Sequence, residues 1–231
     1  MSTAPVDALA TQFLVEEVRT DELLPSYNVA PTDAVYAVVE HGGKRLLGAL
    51  RWGLVPPGAR HPAQGPRPIN ARAETLTARA AFREAFARRR CLLPADGYYE
   101  WQAEPGGGKQ PFFIRPRHGG VLALAGLWST RRGDGEPLRT CAIVTTAANA
   151  VVGELHHRMP VILPACHWDR WLDPAQADPA ELMTLLVPAA DELLEFHAVS
   201  SQVNSVRHNG PELIRPIPLT EPPASTLFGG P

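Results

Sequence analysis

Residues 34–54 read AVYAVVEHGGKRLLGALRWGL, and the fold class turns on what this stretch forms. Two apolar runs, AVYAVVE (34–40) and RLLGALRWGL (45–54), flank a glycine-rich break, HGG. Runs of this kind around a short glycine-containing break predict a β-hairpin.

The same punctuation continues along the chain. There are 24 prolines and 19 glycines in 231 residues, and they cut the sequence into short segments that suit many short strands. RCLLPADGYYEWQ (90–102) reads as strand, turn, strand. PFFIRP, VLALAGLWS and LRTCAIVTT continue the strand series to residue 146, and LEFHAVS (194–200) is a late strand. ARAAFREAFARRR (78–90) reads as a helix with Phe82 and Phe86 on one face. HWDRWLD (167–173) and PAELMTLLV (179–187) also read as helical, and residues 56–68 as a long irregular loop. No repeat or linker divides the chain. The expectation is one α+β domain over residues 1–218, built around a mostly antiparallel, barrel-like sheet with a few flanking helices. A Pro/Gly-rich tail follows over 219–231.

About 45% of the residues are apolar, enough for a real core. The net charge of −2 says little by itself, but its distribution is uneven. Residues 44–90 hold 11 of the 22 Lys and Arg (Lys44, Arg45, Arg51, Arg60, Arg67, Arg72, Arg79, Arg83, Arg88, Arg89, Arg90) against two acids, Glu74 and Glu84. A polyanionic partner and a merely solvated basic face both account for this. Cys91, Cys141 and Cys166 are widely spaced and form no CxxC pair. That argues against a disulfide framework or structural zinc, and for a reducing cytosol. No apolar run reaches the ~18 residues of a membrane span, and no basic-then-apolar leader opens the chain.

Four places could carry chemistry. In INARAET (69–75), Asn70 both donates and accepts hydrogen bonds, and Arg72 offers a bidentate fork for phosphate. Two apart on an extended segment, they point the same way; an ordinary loop ahead of a helix fits the same residues. In DGYYEWQ (96–102), Glu100 lies between Tyr99 and Trp101. Partial desolvation there would raise its pKa and suit acid/base work, and Trp101 could stack on a base. Plain strand alternation, with Glu100 out in water, is the competing account. In ELHHRMPVIL (154–163), His156 and Arg158 share one side of an extended strand while His157 faces the other way. Proton transfer and phosphate binding are open to that pair, and so is a structural role. In RWGLVPP (51–57), Trp52 precedes a proline-rich loop, where core packing is the default.

Taken in order, six blocks closely resemble the SRAP family, the SOS-response-associated peptidase or abasic-site processing proteins. They are YNVAPT (27–32), LRWGLVP (50–56), NARAET (70–75), RCLLPADGYYEW (90–101), AIVTTAAN (142–149) and HHRMPVIL (156–163), and the resemblance spans roughly residues 2–218. It implies one α+β domain with a basic cleft that binds single-stranded DNA and fork-like junctions carrying an abasic site. It further implies a nucleophilic cysteine at position 2, exposed when the initiator methionine is removed, a step thought to be self-catalysed. Its thiol and α-amine condense with the abasic aldehyde into a thiazolidine that links protein to DNA. On this resemblance Asn70, Glu100 and His156 match the catalytic residues. Arg72 and Arg158 match phosphate contacts, Trp52 and Trp101 match aromatics near the bases, and Thr145 lines the DNA groove. Cys91 is core. No metal, cofactor or membrane is implied; the protein would act as a monomer in the cytoplasm, on the nucleoid when bound to DNA.

The opening departs from the family. SRAP proteins begin Met-Cys-Gly-Arg and an aromatic residue, whereas this chain begins MSTAPVDALATQF, as though about five residues were absent in front. In register Ser2 lies roughly 15 Å downstream of the family cysteine along an extended chain, and a hydroxyl cannot close a thiazolidine. The expectation is that an upstream start supplies the cysteine. The alternative is a non-catalytic single-stranded DNA-binding module; a third is a thiol hydrolase pairing Cys91, Cys141 or Cys166 with His156.

Overall fold

The chain reverses at Gly42-Gly43, where both residues take positive φ, 63° and 73°, and His41 pairs with Lys44. Two left-handed residues in a two-residue loop match the twist of the flanking strands, which is why glycine stands at both positions. The computed structural model describes residues 1–59, 67–104, 106–132 and 136–219. Its strands are β1 (Glu17–Val18), β2 (Ala34–His41), β3 (Lys44–Trp52), β4 (Asn70–Arg72), β5 (Arg90–Ala95), β6 (Tyr98–Ala103), β7 (Lys109–Pro116), β8 (Leu122–Arg131), β9 (Leu138–Ala147), β10 (Arg158–Pro160) and β11 (Leu194–Ala198). The α-helices are α1 (Val6–Gln12), α2 (Ala80–Arg88), α3 (Ala150–Gly153), α4 (Trp168–Leu172) and α5 (Pro179–Met183). Part of the 56–68 loop and the tail from residue 220 lie outside the described residues.

In the larger sheet, β3, β2, β5, β8 and β9 are successive antiparallel neighbours. β9 then pairs in parallel with β3, so the sheet closes on itself as a ring. β1 and β4 also join in parallel, on β3 and β9, and β10 continues antiparallel beside β9. A smaller antiparallel sheet has the order β11-β7-β6. The sequence expectation of one α+β domain with a curved, mostly antiparallel sheet and few helices therefore stands.

Strand alternation supplies apolar residues to two faces. On β5, Leu92 joins a core with Phe82 and Phe86 of α2 and Trp168 and Trp171 of α4. Its neighbours Cys91, Leu93 and Ala95 join Phe112 and Ile114 of β7. Both faces being covered, all six β5 residues are buried, which explains the unbroken apolar run in the sequence. Phe82 and Phe86 are each 2% exposed, one turn apart on α2, and each burial is worth about 1.5–3 kcal/mol.

The predicted 78–90 helix shortens to Ala80–Arg88. The one read over 179–187 stops at Met183, because Leu185 and Leu186 close tighter bonds to Leu182 and Met183 and Pro188 disfavours helical geometry at Val187. The basic stretch also needs correcting as a uniform face. Arg90 is 2% exposed and donates to the carbonyls of Phe86, Ala87, Trp171, Asp173 and Gln176, bolting α2 to α4. Arg45 is buried between Phe13 O and Asp169. Arg60 lies outside the described residues. Among the described residues no helix is long and apolar enough to cross a membrane.

Candidate functional site

The smaller sheet and the end of the larger one meet at Glu100. β6 pairs with β7, placing Glu100 opposite Phe112. The turn into β6 is tight enough that a side chain on Gly97 would start 2.5 Å from both Ile114 O and the Phe113 ring. Alternation then divides the strand. Tyr99 and Trp101 face a cluster with Phe113, Val203 and Met1, while Glu100 turns to the opposite face. Tyr99 donates to Tyr27 O and Trp101 Nε1 to Asn204 Oδ1, both at 2.7 Å. The alternation account is right about the aromatics but not about water. The Glu100 side chain is 22% exposed and lies 3.8 Å from Nδ1 of His156.

Burial is the main cause of a raised Glu100 pKa; His156, the Trp101 N–H and Lys109 oppose it. At 3.8 Å the two groups polarise one another without a direct hydrogen bond. Gln102, on the same face two residues after Glu100, donates to Glu154 O at 2.8 Å, two residues before His156. This bond ties together the two chain segments that carry the pair. His156 Nδ1 is 3.2 Å from both the N–H and the carbonyl of Arg158. Neutral imidazole can accept from the first and imidazolium can donate to the second, so either protonation state is satisfied without rearrangement.

His156 stands between α3 and β10 rather than within a strand. The 154–163 reading needs correction here: the His156 and His157 rings touch, with centroids 4.4 Å apart, so they do not face opposite ways. A short turn, not a strand, carries them.

Asn70 and Arg72 are both exposed on β4, with fully buried Ala71 between them, and β4 runs along β9 with Arg72 opposite Thr145. On the other flank of β9, Pro160 of β10 also pairs with Thr145. Arg158 reaches back over this residue. It donates to Thr145 O at 2.6 Å and Thr145 Oγ1 at 3.3 Å, and forks onto the Glu74 carboxylate at 2.7 and 3.1 Å. Arg158 is thus already paired, and its hydrogen bond holds Glu74 below the usual carboxylate range. Glu74 was missed from sequence, although it is one of only two acids within residues 44–90. Trp52 is half-buried, with Nε1 on Ile69 O at 2.9 Å, beside Asn70. Asn28 of the YNVAPT block bonds the carbonyls of Val203, Ser205 and His208, a structural anchor.

The first residues are pinned to the turn that leads into β6. Met1 N donates to Gly97 O at 3.0 Å, Asp96 N donates to Met1 O at 3.2 Å, and Thr3 N and Oγ1 donate to Asp96 Oδ2. The thiols are poor candidates for the reaction. Burial raises Cys91 well above its ordinary pKa and Cys141 to about 12. Cys166 is exposed, with its Sγ 3.8 Å from His167 Nδ1 rather than beside His156. Among the described residues no His, Cys, Asp and Glu cluster could hold a metal.

The chain that folds into this ring-closed sheet matches one known family. The family model described as SOS response associated peptidase (SRAP) matches residues 1–206, and the chain belongs to that family. Among curated relatives, the abasic site processing protein YoaM of Bacillus subtilis is 42% identical over 212 residues, covering 90% of this chain and 92% of YoaM. The abasic site processing protein HMCES of Gallus gallus is 34% identical, covering 90% of this chain and 70% of HMCES. A crystal structure from Bacteroides thetaiotaomicron superposes with a TM-score of 0.83 at 25% identity, covering 94% of this chain and 97% of that one.

Proposed function

We propose that this protein processes abasic sites in single-stranded DNA by covalent capture, with Glu100 and His156 moving the protons. The observation that carries the reading is their 3.8 Å approach in a half-buried site, with exposed Asn70 and Arg72 on one flank of β9 and Arg158 on the other. An abasic sugar opens to an aldehyde. An α-amine adds to its carbon, the carbinolamine loses water to a Schiff base, and a thiolate adds to the same carbon to close a thiazolidine. Protonating the sugar oxygen and the departing hydroxyl, and taking the proton from the attacking groups, is general acid/base work. A desolvated carboxyl beside an imidazole suits it. Asn70 orients the sugar or amine, Arg72 holds a phosphate, Arg158 holds another on exchanging Glu74 for DNA, buried Thr145 lines the groove beneath Arg158, and Trp52 and Trp101 sit near the bases.

The thiol is the part this site does not itself supply. With residue 1 fixed at Gly97, three residues before Glu100, four residues placed ahead of it would span about 13 Å, enough to bring a Met-Cys-Gly-Arg opening to Glu100. The chain beginning Met-Ser is expected to bind abasic single-stranded DNA but to give no denaturation-resistant adduct. The same chain with Met-Cys-Gly-Arg ahead of it is expected to give one, seen as a shifted band on a denaturing gel. An efficient adduct from the Met-Ser chain would overturn the thiazolidine chemistry. Binding by both forms with an adduct from neither would favour the non-catalytic binding module.

A further inference from the structure

Away from Glu100, a notch of ≈ 180 Å³ opens where β3 ends beside the start of β9. Thr32, Arg51, Trp52, Gly53, Arg67 and Thr140 line it. Two arginines thus border a small space, and among the described residues neither is ion-paired to a carboxylate. The surroundings hold them there. Thr32 has φ 85°, a strained conformation for a β-branched residue. In it, Thr32 N donates to Trp52 O at 2.8 Å while Thr32 O accepts from Arg51 Nε at 3.1 Å. That leaves the two terminal nitrogens of Arg51 for a ligand. Arg67 passes over Gly53, its Cβ 3.6 Å from where a side chain there would begin. Trp52 is pinned by Ile69 O, and Thr140 Oγ1 is satisfied by Val55 N at 2.8 Å.

The space is well below the roughly 300–1,000 Å³ of sites that enclose a small molecule, so it suits one group of a longer ligand. Arginines without a competing carboxylate favour phosphate-like anions, and an indole adds a face for a sugar or base. The notch is also in line with the candidate site. β9 runs from Thr140 in the notch to Ile143 opposite Asn70 and Thr145 opposite Arg72, about 10 and 17 Å along the strand.

We propose that Arg51 and Arg67 form a phosphodiester subsite for the nucleic-acid strand where it continues past the Asn70–Arg72 site, with Trp52 against the neighbouring sugar or base. This rests on the single-stranded DNA reading above and adds Arg51 and Arg67, which that reading leaves without a role, beside Trp52.

The test is fluorescence anisotropy of a 15-nucleotide single strand with one central abasic site, titrated over a range of salt. The full chain is compared with R51Q, R67Q and the double variant, and with R51K, which keeps the charge. Removing one guanidinium–phosphate pair is expected to lower the salt slope by about 0.7, so the double variant should show a slope lower by about 1.4 and bind about tenfold more weakly. R51K should keep most of the slope. If the unaltered chain binds but the double variant matches it, the subsite is wrong and the DNA reading stands. Equal weakening in R51K and R51Q would mark the effect as structural and also overturn the subsite. No binding by the unaltered chain would overturn both readings.

Discussion

Glu100 and His156 meet from two different sheets: the carboxylate on β6 of the smaller one lies 3.8 Å from the imidazole just ahead of β10 of the larger one. Burial raises the Glu100 carboxyl, against the pull of His156. A carboxyl raised in the folded state contributes stability that is fully present below its unfolded pKa and lost as pH rises through the folded one. Ionised Glu100 is therefore a cost to the fold at neutral pH. Glu100→Gln is expected to raise Tm by about 1–4 °C at about pH 8, with the gain vanishing near about pH 4. Thermal melts across this range check it; a lower Tm for the variant at the alkaline end would show that the carboxylate is stabilising.

Gln102 acts on the pair without touching the reacting atoms. Its bond to Glu154 O joins the segments bearing Glu100 and His156. Gln102→Ala is expected to slow adduct formation by roughly tenfold or more, since small misplacements of catalytic groups are costly, while DNA affinity and Tm change little. Single-turnover rates and anisotropy, measured on the Cys-bearing chain, separate these effects. An unchanged rate would show that the bond is incidental.

Glu74 occupies the Arg158 guanidinium, which the proposal gives to a phosphate. Glu74→Gln is expected to tighten single-stranded DNA binding a few-fold and to steepen its salt dependence by about 0.7, one further phosphate contact. The Glu74 side chain is 53% exposed, so the stability cost should be under about 1 kcal/mol. Weaker binding in the variant would mean that the pair positions Arg158 rather than competing with DNA.

Arg90 is the strut most exposed to disruption. Arg90→Met would strand carbonyls of α2 and α4 and the turn after them, at a cost of at least about 3 kcal/mol and a Tm lower by about 6–12 °C. Arg90→Lys should recover little, because an ammonium has three donors and no planar fork. A melt unchanged in either variant would contradict the strut.

The hairpin over 34–54 was legible because glycine pairs and apolar runs are local signals, and so was the division of β6 into two faces. A barrel-like sheet was expected, but the strands that close it were not legible. β3 and β9 pair in parallel across some 90 residues of chain, and nothing local encodes such a partner. α1 and α3 escaped notice for a related reason: at seven and four residues they show too little periodicity and are held by tertiary packing. Within the candidate site, the shared face of Asn70 and Arg72 was readable from strand alternation, and so was the partial burial of Glu100 among aromatics. The Glu74–Arg158 fork was not, because its members are 84 positions apart. Arg45 and Arg90 show the converse limit, since counting charge along the sequence does not distinguish a strut from a DNA-facing side chain.

Glu100 and His156 are proposed to work as one acid/base unit on the abasic sugar. A double-mutant cycle on the Cys-bearing chain, with Glu100→Gln, His156→Gln and both together, tests it through the single-turnover rate of crosslinking to abasic single-stranded DNA. Each single change is expected to cost about 10²–10⁴-fold, and the double change about as much as the worse single one, because the groups share one task. Effects that simply multiply, or a rate indifferent to either residue, would contradict it.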